Sequence, residues 1–205
     1  MRWVIFCWSR SDRAPELKKG DVVVCADSGL EYARRCGVKP HIVLGDFDSY
    51  AGAFPDDCEV IRLPVVKDDT DTMFAVRLGL KRGVKEFLIA GGFGGREDHT
   101  FGALQTLNFI LSHGADGEMS DGNQWARILR GPGELTVHDR GGYVSLFALT
   151  PRCEGITLTG FRYPMTDDVL TYDFPLGVSN EITAPSAHLS FSEGRLLIMG
   201  ASDPV

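Results

Sequence analysis

The sequence predicts an α/β protein made of two domains. Residues 1–130 form an N-terminal, mostly parallel, Rossmann-like α/β sheet domain, and residues 131–205 form a C-terminal antiparallel β-sandwich domain. In the first part, short continuous apolar runs alternate with amphipathic stretches, as expected for parallel strands buried on both faces. In the second part, short alternating runs are separated by glycine and proline turns, which indicates antiparallel sheets. Carboxylates recur where the apolar runs of the first part end.

The first part contains five predicted strands, each an apolar run bounded by polar residues. They cover residues 3–8, 21–26, 42–44, 58–63 and 86–90. Helices are predicted at 28–35, from the acidic stretch 67–72 to about 82, and at 100–113, with a short helix at 15–19. Gly37 suits a left-handed C-cap after the first of these helices, and Asp69 or Thr70 suits the N-cap of the second.

The later part of the chain contains six short runs in which apolar and polar residues alternate. They lie at 125–129, 134–138, 143–149, 155–159, 187–191 and 195–199. Turn-forming segments such as Gly131-Pro132-Gly133 separate them. This change of pattern places the domain boundary near Gly131, and the absence of a long linker predicts that the two parts pack closely.

Two carboxylates, Asp46 and Asp48, follow directly after the run 42–44. In an extended segment, side chains at positions i and i+2 project to the same side, so the two charges repel unless a cation lies between them. A divalent cation is the natural partner. The alternative is that the aspartates only make a turn at the end of the strand.

Other acids lie at equivalent places along the chain. Asp27 follows the run 21–26, a group of three acids follows 58–63, and Asp98 follows 86–90; the group of three is Asp68, Asp69 and Asp71. Open α/β sheets bind their ligands beyond the carboxyl ends of the strands, so one acidic cluster is expected from four loops. Helix capping alone would explain two of the three grouped acids but not all of them.

A glycine-rich segment, residues 91–95, lies between a predicted strand and a predicted helix. This layout suits phosphate binding, because glycines let backbone N–H groups approach an anion at a helix N-terminus. Neither the dinucleotide motif nor the P-loop motif fits the spacing. Arg96 would supply a bidentate phosphate contact. A tight turn without a ligand is the alternative.

The composition limits the partners of the protein. A formal charge of −7 argues against nucleic acid or an anionic membrane as the main partner. The five cysteines are scattered without a Cys-x-x-Cys pair, so neither a zinc site nor a disulfide framework is expected. The apolar start, residues 1–8, is too short for a signal peptide or a membrane span, which predicts a cytoplasmic protein.

In six short motifs, the sequence resembles the thiamine pyrophosphokinase family, whose members transfer a diphosphate from ATP to thiamine. The matching pieces occur in order in both parts of the chain: Ala26-Asp27-Ser28-Gly29, Gly45-Asp46-Phe47-Asp48-Ser49, Lys67-Asp68-Asp69-Thr70-Asp71, Gly91-Gly92-Phe93-Gly94-Gly95-Arg96-Glu97-Asp98-His99-Thr100, Gly160-Phe161-Arg162-Tyr163-Pro164 and Leu176-Gly177-Val178-Ser179-Asn180-Glu181. The resemblance implies the two-domain fold and a homodimer whose sites lie where domains of two subunits meet.

The resemblance also implies roles for particular residues. Mg²⁺ and the polyphosphate would be held by the catalytic acids Asp46, Asp48, Asp71 and Asp98. ATP would contact Asp27, Lys67, Asp68 and Arg96, with Gln105 and Asn123 as weaker candidates. Thiamine would stack on Tyr163 and contact Ser179 and Asn180. Asp71 or Asp98 would accept the proton of the attacking hydroxyl.

Two departures from the family pattern concern the nucleotide side. Ser28 stands where the family usually has glycine, and the loop at 8–12 lacks the glycine often found after the first strand. The sequence is also compatible with two other functions: a diphosphokinase acting on a pterin alcohol, and a non-catalytic nucleotide or vitamin sensor. Unpaired carboxylates that repel one another without a metal disfavour the sensor.

Overall fold

The computed structural model describes residues 1–48, 52–66 and 68–201, and it divides into two compact units, Met1–Gly122 and Asn123–Val205. Among the helices of these residues, none combines the length and the hydrophobicity that a bilayer crossing requires. All five cysteines are free thiols, and burial raises the pKa of Cys7 and of Cys25 to about 12.

The first unit is built on a parallel sheet. Its strands are β1 (Arg2–Phe6), β2 (Val22–Ala26), β3 (Ile42–Gly45), β4 (Glu59–Arg62), β5 (Glu86–Ala90) and β6 (Asp116–Ser120). They are ordered β4-β3-β2-β1-β5-β6, and every neighbouring pair is parallel. Strands β1, β2, β3 and β5 are almost wholly buried, which explains their continuous apolar sequences. The predicted parallel arrangement of β1 to β5 is confirmed, and β6 adds a parallel strand that the sequence analysis did not predict.

Three helices accompany this sheet: α1 (Gly29–Arg35), α2 (Asp71–Lys81) and α3 (Glu97–Ser112). The side chain of Thr70 accepts a hydrogen bond from Met73 N at 3.1 Å, so Thr70 is the N-cap of α2. Gly37 has φ +67° after α1, as its predicted C-cap role requires. Helix α3 begins three residues earlier than predicted, which places Asp98 in its first turn.

The predicted short helix at 15–19 is wrong, since this segment has no helical structure. Five residues give too few hydrogen bonds to offset the cost of helix nucleation. The segment is instead fixed by β1 and by the start of β2. Arg2 donates from its guanidinium to the carbonyl of Glu16 at 2.9 Å, and Asp21 accepts from Lys18 N at 2.7 Å.

The ion pair between Arg2 and Asp21 gives a test of this arrangement. The two side chains are 12% and 6% exposed. Burial alone would raise the pKa of Asp21, but hydrogen bonds from Arg2 and Lys18 outweigh it, so this pKa lies below its ordinary 3.8. Because the folded-state pKa is depressed, the stabilisation is complete above about pH 4 and is lost as the pH falls through the folded value.

Replacing Asp21 by asparagine is therefore expected to lower the free energy of unfolding by about 2 kcal/mol at pH 7, with a smaller loss at pH 3. Urea unfolding at both pH values would measure this. The control is Asp12→Asn, because Asp12 also pairs with an arginine, Arg35, but is 81% exposed and should change stability by less than about 0.5 kcal/mol. Equal losses at both pH values would contradict the assignment.

The second unit is antiparallel. Its strands are β7 (Gln124–Arg130), β8 (Gly133–His138), β9 (Tyr143–Ala148), β10 (Arg152–Thr159), β11 (Met165–Thr171), β12 (Ser186–Phe191) and β13 (Arg195–Ala201). They form one set ordered β7-β13-β9 and a second sheet ordered β11-β10-β12-β8. Buried side chains from both sets form one hydrophobic core, which includes Leu146, Ile156, Leu189 and Ile198. This explains the alternation in the sequence.

Strand β11 is absent from the sequence prediction. It carries two adjacent acids, Asp167 and Asp168, and it lies at the edge of its sheet. Its pairing with β10 is irregular next to Asp168, and Asp167 has φ +53°. The bulge interrupts the alternation that identifies a strand in a sequence.

The division between the two compact units falls after Gly122, eight residues before the expected boundary at Gly131. Strand β7 accounts for the difference, because it pairs along its whole length with β13. The glycine and proline turn at 131–133 therefore follows the first strand of the second unit.

Candidate active site

The loops that follow β2 and β3 are in direct contact at the carboxyl edge of the parallel sheet. Asp27 N donates to the carbonyl of Leu44 at 2.8 Å, and a Cβ atom at Gly45 would lie 3.3 Å from Cα of Asp27. Asp27 and Phe47 have φ values of +48° and +56°. Left-handed conformations are unfavourable for such residues and often mark functional sites.

The aspartates of the second loop lie on either side of a buried aromatic ring. Phe47 packs edge-on against Phe54 with ring centroids 4.7 Å apart, while Asp46 and Asp48 remain accessible to solvent. Asp48 N donates to Oδ1 of Asp46 at 3.3 Å. The inward ring therefore anchors the loop and leaves both carboxylates at the surface. Ser49, the last residue of this motif, lies outside the described residues.

The acids that precede α2 have different surroundings. Asp68 is exposed, Asp69 forms an ion pair with Arg77, and Asp71 is the first residue of the helix. Asp69 is thus held by a cation on the helix that follows it, which distinguishes it from the acids that could act on a ligand. Lys67, a predicted ATP contact, lies outside the part of the chain that the structure describes.

The glycine-rich loop begins in close contact with neighbouring backbone. Gly91 N donates to the carbonyl of Ser120 at 2.9 Å, and Gly92 N donates to that of Trp8 at 3.1 Å. Gly91 has φ +102°, and a Cβ atom there would lie 2.7 Å from Trp8 O, so only glycine fits. Because these two amides already donate to protein carbonyls, a phosphate would have to meet the loop after Gly92.

Arg96 and Asp98 form a bidentate ion pair just after this loop. Arg96 donates from Nε to Oδ1 at 3.1 Å and from Nη2 to Oδ2 at 2.5 Å. These hydrogen bonds hold the pKa of Asp98 below its usual value, and His99 N adds a further hydrogen bond to the carboxylate. Both side chains are exposed, so a charged ligand can replace either partner at little cost.

The acids share one edge of the sheet but do not converge on one point. Within the described ranges, no group of three or more His, Cys, Asp or Glu side chains lies close enough to hold a metal ion. Like charges repel, and Asp69 and Asp98 are drawn to arginines instead. The donor set is nevertheless one of carboxylate oxygens only, which are the ligands that Mg²⁺ prefers.

Arg62 is a cation beside the acidic loop that the sequence interpretation missed. It pairs in register with Gly45, at the end of β4. Its guanidinium lies 5.7 Å from the ring centroids of both Phe47 and Phe54. The signal in the sequence was an arginine directly at the end of a predicted strand, on the same edge as the acids.

The candidate vitamin residues belong to the second unit, where two distant segments meet. Asn180 is buried and binds the backbone of Tyr163, accepting from its N at 3.0 Å and donating to its carbonyl at 2.8 Å. Tyr163 is 59% exposed, and the guanidinium of Arg162 lies 5.9 Å from its ring centroid. Ser179 has φ +60°, and its N donates to Ser145 Oγ at 3.0 Å.

The two weaker nucleotide candidates are exposed. Gln105 lies on α3, two turns beyond Asp98, and Asn123 is the first residue of the second unit. Gln105 therefore shares a helix with Asp98, whereas Asn123 belongs to the other unit.

A parallel sheet with acids and a glycine-rich loop at its carboxyl edge is the arrangement expected of a nucleotide-binding α/β protein. Comparison with known proteins identifies the family. The sequence profile of the thiamin pyrophosphokinase catalytic domain matches residues 14–116, and that of the thiamin pyrophosphokinase vitamin B1 binding domain matches residues 134–196. The chain belongs to the thiamin pyrophosphokinase family.

Individual relatives agree with this assignment. A thiamine pyrophosphokinase of Bacillus subtilis is 27% identical over 184 residues, covering 86% of either chain. The crystal structure of thiamine pyrophosphokinase from Bacillus subtilis matches with a TM-score of 0.87 at 25% identity, over 99% of this chain and 100% of that one. The thiamin pyrophosphokinase from Geobacillus thermodenitrificans matches with a TM-score of 0.85 at 29% identity, over 100% and 99% of the two chains.

Proposed function

We propose that this protein transfers a diphosphate group from ATP to the hydroxyl of thiamine, giving thiamine diphosphate and AMP. The observation that carries the proposal is that a catalytic and a vitamin B1 binding profile match in order, one in each unit. The first unit is the Rossmann-like catalytic domain, and the second is the β-sandwich thiamine-binding domain.

The acids of the first unit would hold Mg²⁺. The ligands would be Asp46, Asp48, Asp71 and Asp98, with Asp68 close to the phosphates. When bound, Mg²⁺ would neutralise the charge of the polyphosphate. The carboxylate donor set supports this assignment, and the exposed ion pair of Asp98 can open without a large loss of stability.

Arg96 would exchange partners when ATP binds. Its guanidinium now makes two hydrogen bonds to one carboxylate, and a phosphate offers the same bidentate geometry. Moving Arg96 to the polyphosphate would place positive charge on the group that is transferred and free Asp98. Asp27 and Lys67 would line the same side, together with Gln105 and Asn123.

The reaction requires alignment more than covalent catalysis. The thiamine hydroxyl attacks the β-phosphorus, the bond to the α-phosphate oxygen breaks, and AMP leaves. The proton of the hydroxyl passes to a carboxylate, Asp71 or Asp98, both at or near the N-terminus of a helix. An ionised carboxylate is required for this step.

Thiamine would stack on Tyr163, with Ser179 and Asn180 in the adjoining segment. The side-chain amide of Asn180 is hydrogen-bonded to the backbone of Tyr163 and to Glu181 N. Asn180 would therefore contribute to thiamine binding indirectly, by fixing the position of the tyrosine ring. The exposed ring and the left-handed turn at Ser179 support a ligand contact here.

Replacing Tyr163 by leucine is expected to raise KM for thiamine about tenfold and to change kcat little, because stacking of a cationic ring on an aromatic face is lost. Tyr163→Phe should keep nearly wild-type values, since it retains the ring. Tyr163→Phe is therefore the matched control. Steady-state kinetics would measure both variants, and an unchanged KM in Tyr163→Leu would exclude the stacking role.

We also propose that the protein is cytoplasmic and binds neither nucleic acid nor a membrane. We further propose that it is a homodimer, with active sites where domains of two subunits meet. Large exposed apolar side chains at 172–178 support an interface on the second unit: Tyr172, Phe174, Leu176 and Val178.

The two alternative functions are separated by a substrate panel with ATP and Mg²⁺. Product from thiamine but not from a hydroxymethyl pterin supports the proposal, and the reverse result would replace it with the pterin diphosphokinase. Tight calorimetric binding of thiamine without turnover would instead indicate a sensor.

A further inference from the structure

The order of strands in the first unit places a topological switch point between β1 and β5, where a ligand-binding crevice is expected. From β1 the chain adds β2, β3 and β4 on one side of the sheet, and β5 and β6 lie on the other side. The direction of winding therefore reverses between β1 and β5. Ligands of open α/β sheets bind outside the carboxyl ends of the strands at such a point.

The two loops that border this crevice are joined through their backbones. Cys7 N donates to the carbonyl of Ala90 at 3.0 Å, and Gly92 N donates to that of Trp8 at 3.1 Å. The first loop places Trp8 directly after β1. Its side chain is 38% exposed, whereas the other tryptophan of this unit, Trp3, is 2% exposed.

The indole ring of Trp8 packs on the backbone of the glycine-rich loop. A Cβ atom at Gly95 would lie 2.6 Å from Cζ3 and 2.8 Å from Cε3 of this ring. Gly95 does not have a positive φ, so the ring, not the backbone conformation, is what requires glycine at this position. The guanidinium of Arg10 lies 5.7 Å from the ring centroid, which shows that the exposed ring already attracts a planar cationic group.

We propose that Trp8 is the stacking platform for the adenine base of ATP. This inference rests on the proposed function, since it names the base-binding part of the same nucleotide site. Gly95, which touches the ring, is followed directly by Arg96, so a nucleotide whose base lies on Trp8 has its phosphates directed toward Arg96 and Asp98. An aromatic face binds any base without requiring specific hydrogen bonds.

The platform also explains the departure of the first loop from the family pattern. Where glycine often follows the first strand, this chain has a large aromatic residue at the crevice. Trp8 would therefore supply contact area for the base. Arg10, whose guanidinium lies 5.7 Å from the ring centroid, would have to move off the ring to admit the base and would then be free to contact a phosphate.

The test compares ATP with inorganic tripolyphosphate, which carries the phosphates without the base. Titrations with Mg²⁺ and without thiamine avoid turnover. ATP is expected to quench tryptophan fluorescence in the unmodified protein, and tripolyphosphate is expected to bind with little quenching. Trp8→Leu should weaken ATP binding about tenfold and leave the affinity for tripolyphosphate unchanged, whereas Trp8→Phe should stay close to the unmodified protein.

Trp125→Phe is the matched control, because Trp125 packs against Gly200 within the second unit and its removal should leave the ATP quenching in place. Equal quenching by ATP and tripolyphosphate, or equal ATP affinity in Trp8→Leu, would overturn the platform while leaving the proposed function intact. Quenching by thiamine instead of ATP would assign the ring to the vitamin and also overturn it. Failure of the unmodified protein to bind ATP would overturn the proposed function itself.

Discussion

Replacing Asp71 by asparagine is expected to lower kcat by about a thousandfold or more while leaving the fold intact. Asparagine keeps the shape of the side chain but removes the charge that, in the proposed function, would hold Mg²⁺ or accept a proton. Asp71 is the first residue of α2, and Thr70 caps this helix, so the helix does not depend on the carboxylate. The same result is expected for Asp46→Asn, whose carboxylate follows β3 directly.

Asp69→Asn is the matched control for these variants, because Asp69 lies in the same acidic stretch but is paired with Arg77. Its kcat should stay within a few-fold of the unmodified enzyme. A second readout is the rise in melting temperature on addition of Mg²⁺ and ATP, which should be lost in Asp71→Asn and retained in Asp69→Asn. An Asp71→Asn enzyme with normal turnover would contradict the metal assignment.

Replacing Gly29 by alanine is expected to destabilise the protein by about 3 kcal/mol or more, the largest effect on stability that we predict for one methyl group. A Cβ atom at this position would lie 1.9 Å from Phe6 O and 2.4 Å from Phe6 C. Both atoms belong to the backbone of β1, which pairs with strands on both sides and cannot move away. Gly29 thus lets α1 begin close to the sheet, two residues after Asp27.

Gly102→Ala provides the control, since Gly102 lies within α3 and a Cβ atom there would meet no atom within 4 Å. Alanine favours a helix over glycine, so this variant should be more stable by about 0.5–1 kcal/mol. Urea unfolding followed by circular dichroism would measure both changes. A Gly29→Ala protein with the unfolding midpoint of the unmodified protein would show that α1 can shift away from β1.

The regular elements were predicted where local sequence and tertiary burial agree. Strand β5 was predicted with the bounds that the structure has, because its apolar run is buried on both faces and ends in glycines. Strand β11 was missed because a bulge beside Asp168 interrupts its pattern. The helix at 15–19 was wrong because its backbone groups bind Arg2, which is distant in sequence, and Asp21, which lies just beyond the segment.

The candidate site likewise has features that could be predicted from the sequence and features that could not. The acids at the carboxyl edge were predictable, because parallel strands bring their carboxyl ends to one side. The partners of those acids were not, since the pairing of Asp98 with Arg96 depends on the turn into α3. Two further contacts join segments that are far apart in sequence, so no local pattern encodes them. They are the packing of Trp8 on Gly95 and the hydrogen bonds between Asn180 and Tyr163.

The most direct test of the central claim is to incubate the purified protein with thiamine, ATP and Mg²⁺ and to quantify the products by chromatography. We expect thiamine diphosphate and AMP in equal amounts, because attack at the β-phosphorus transfers both terminal phosphates together. Thiamine monophosphate with ADP would contradict this account, since it would mean attack at the γ-phosphorus and transfer of a single phosphoryl group.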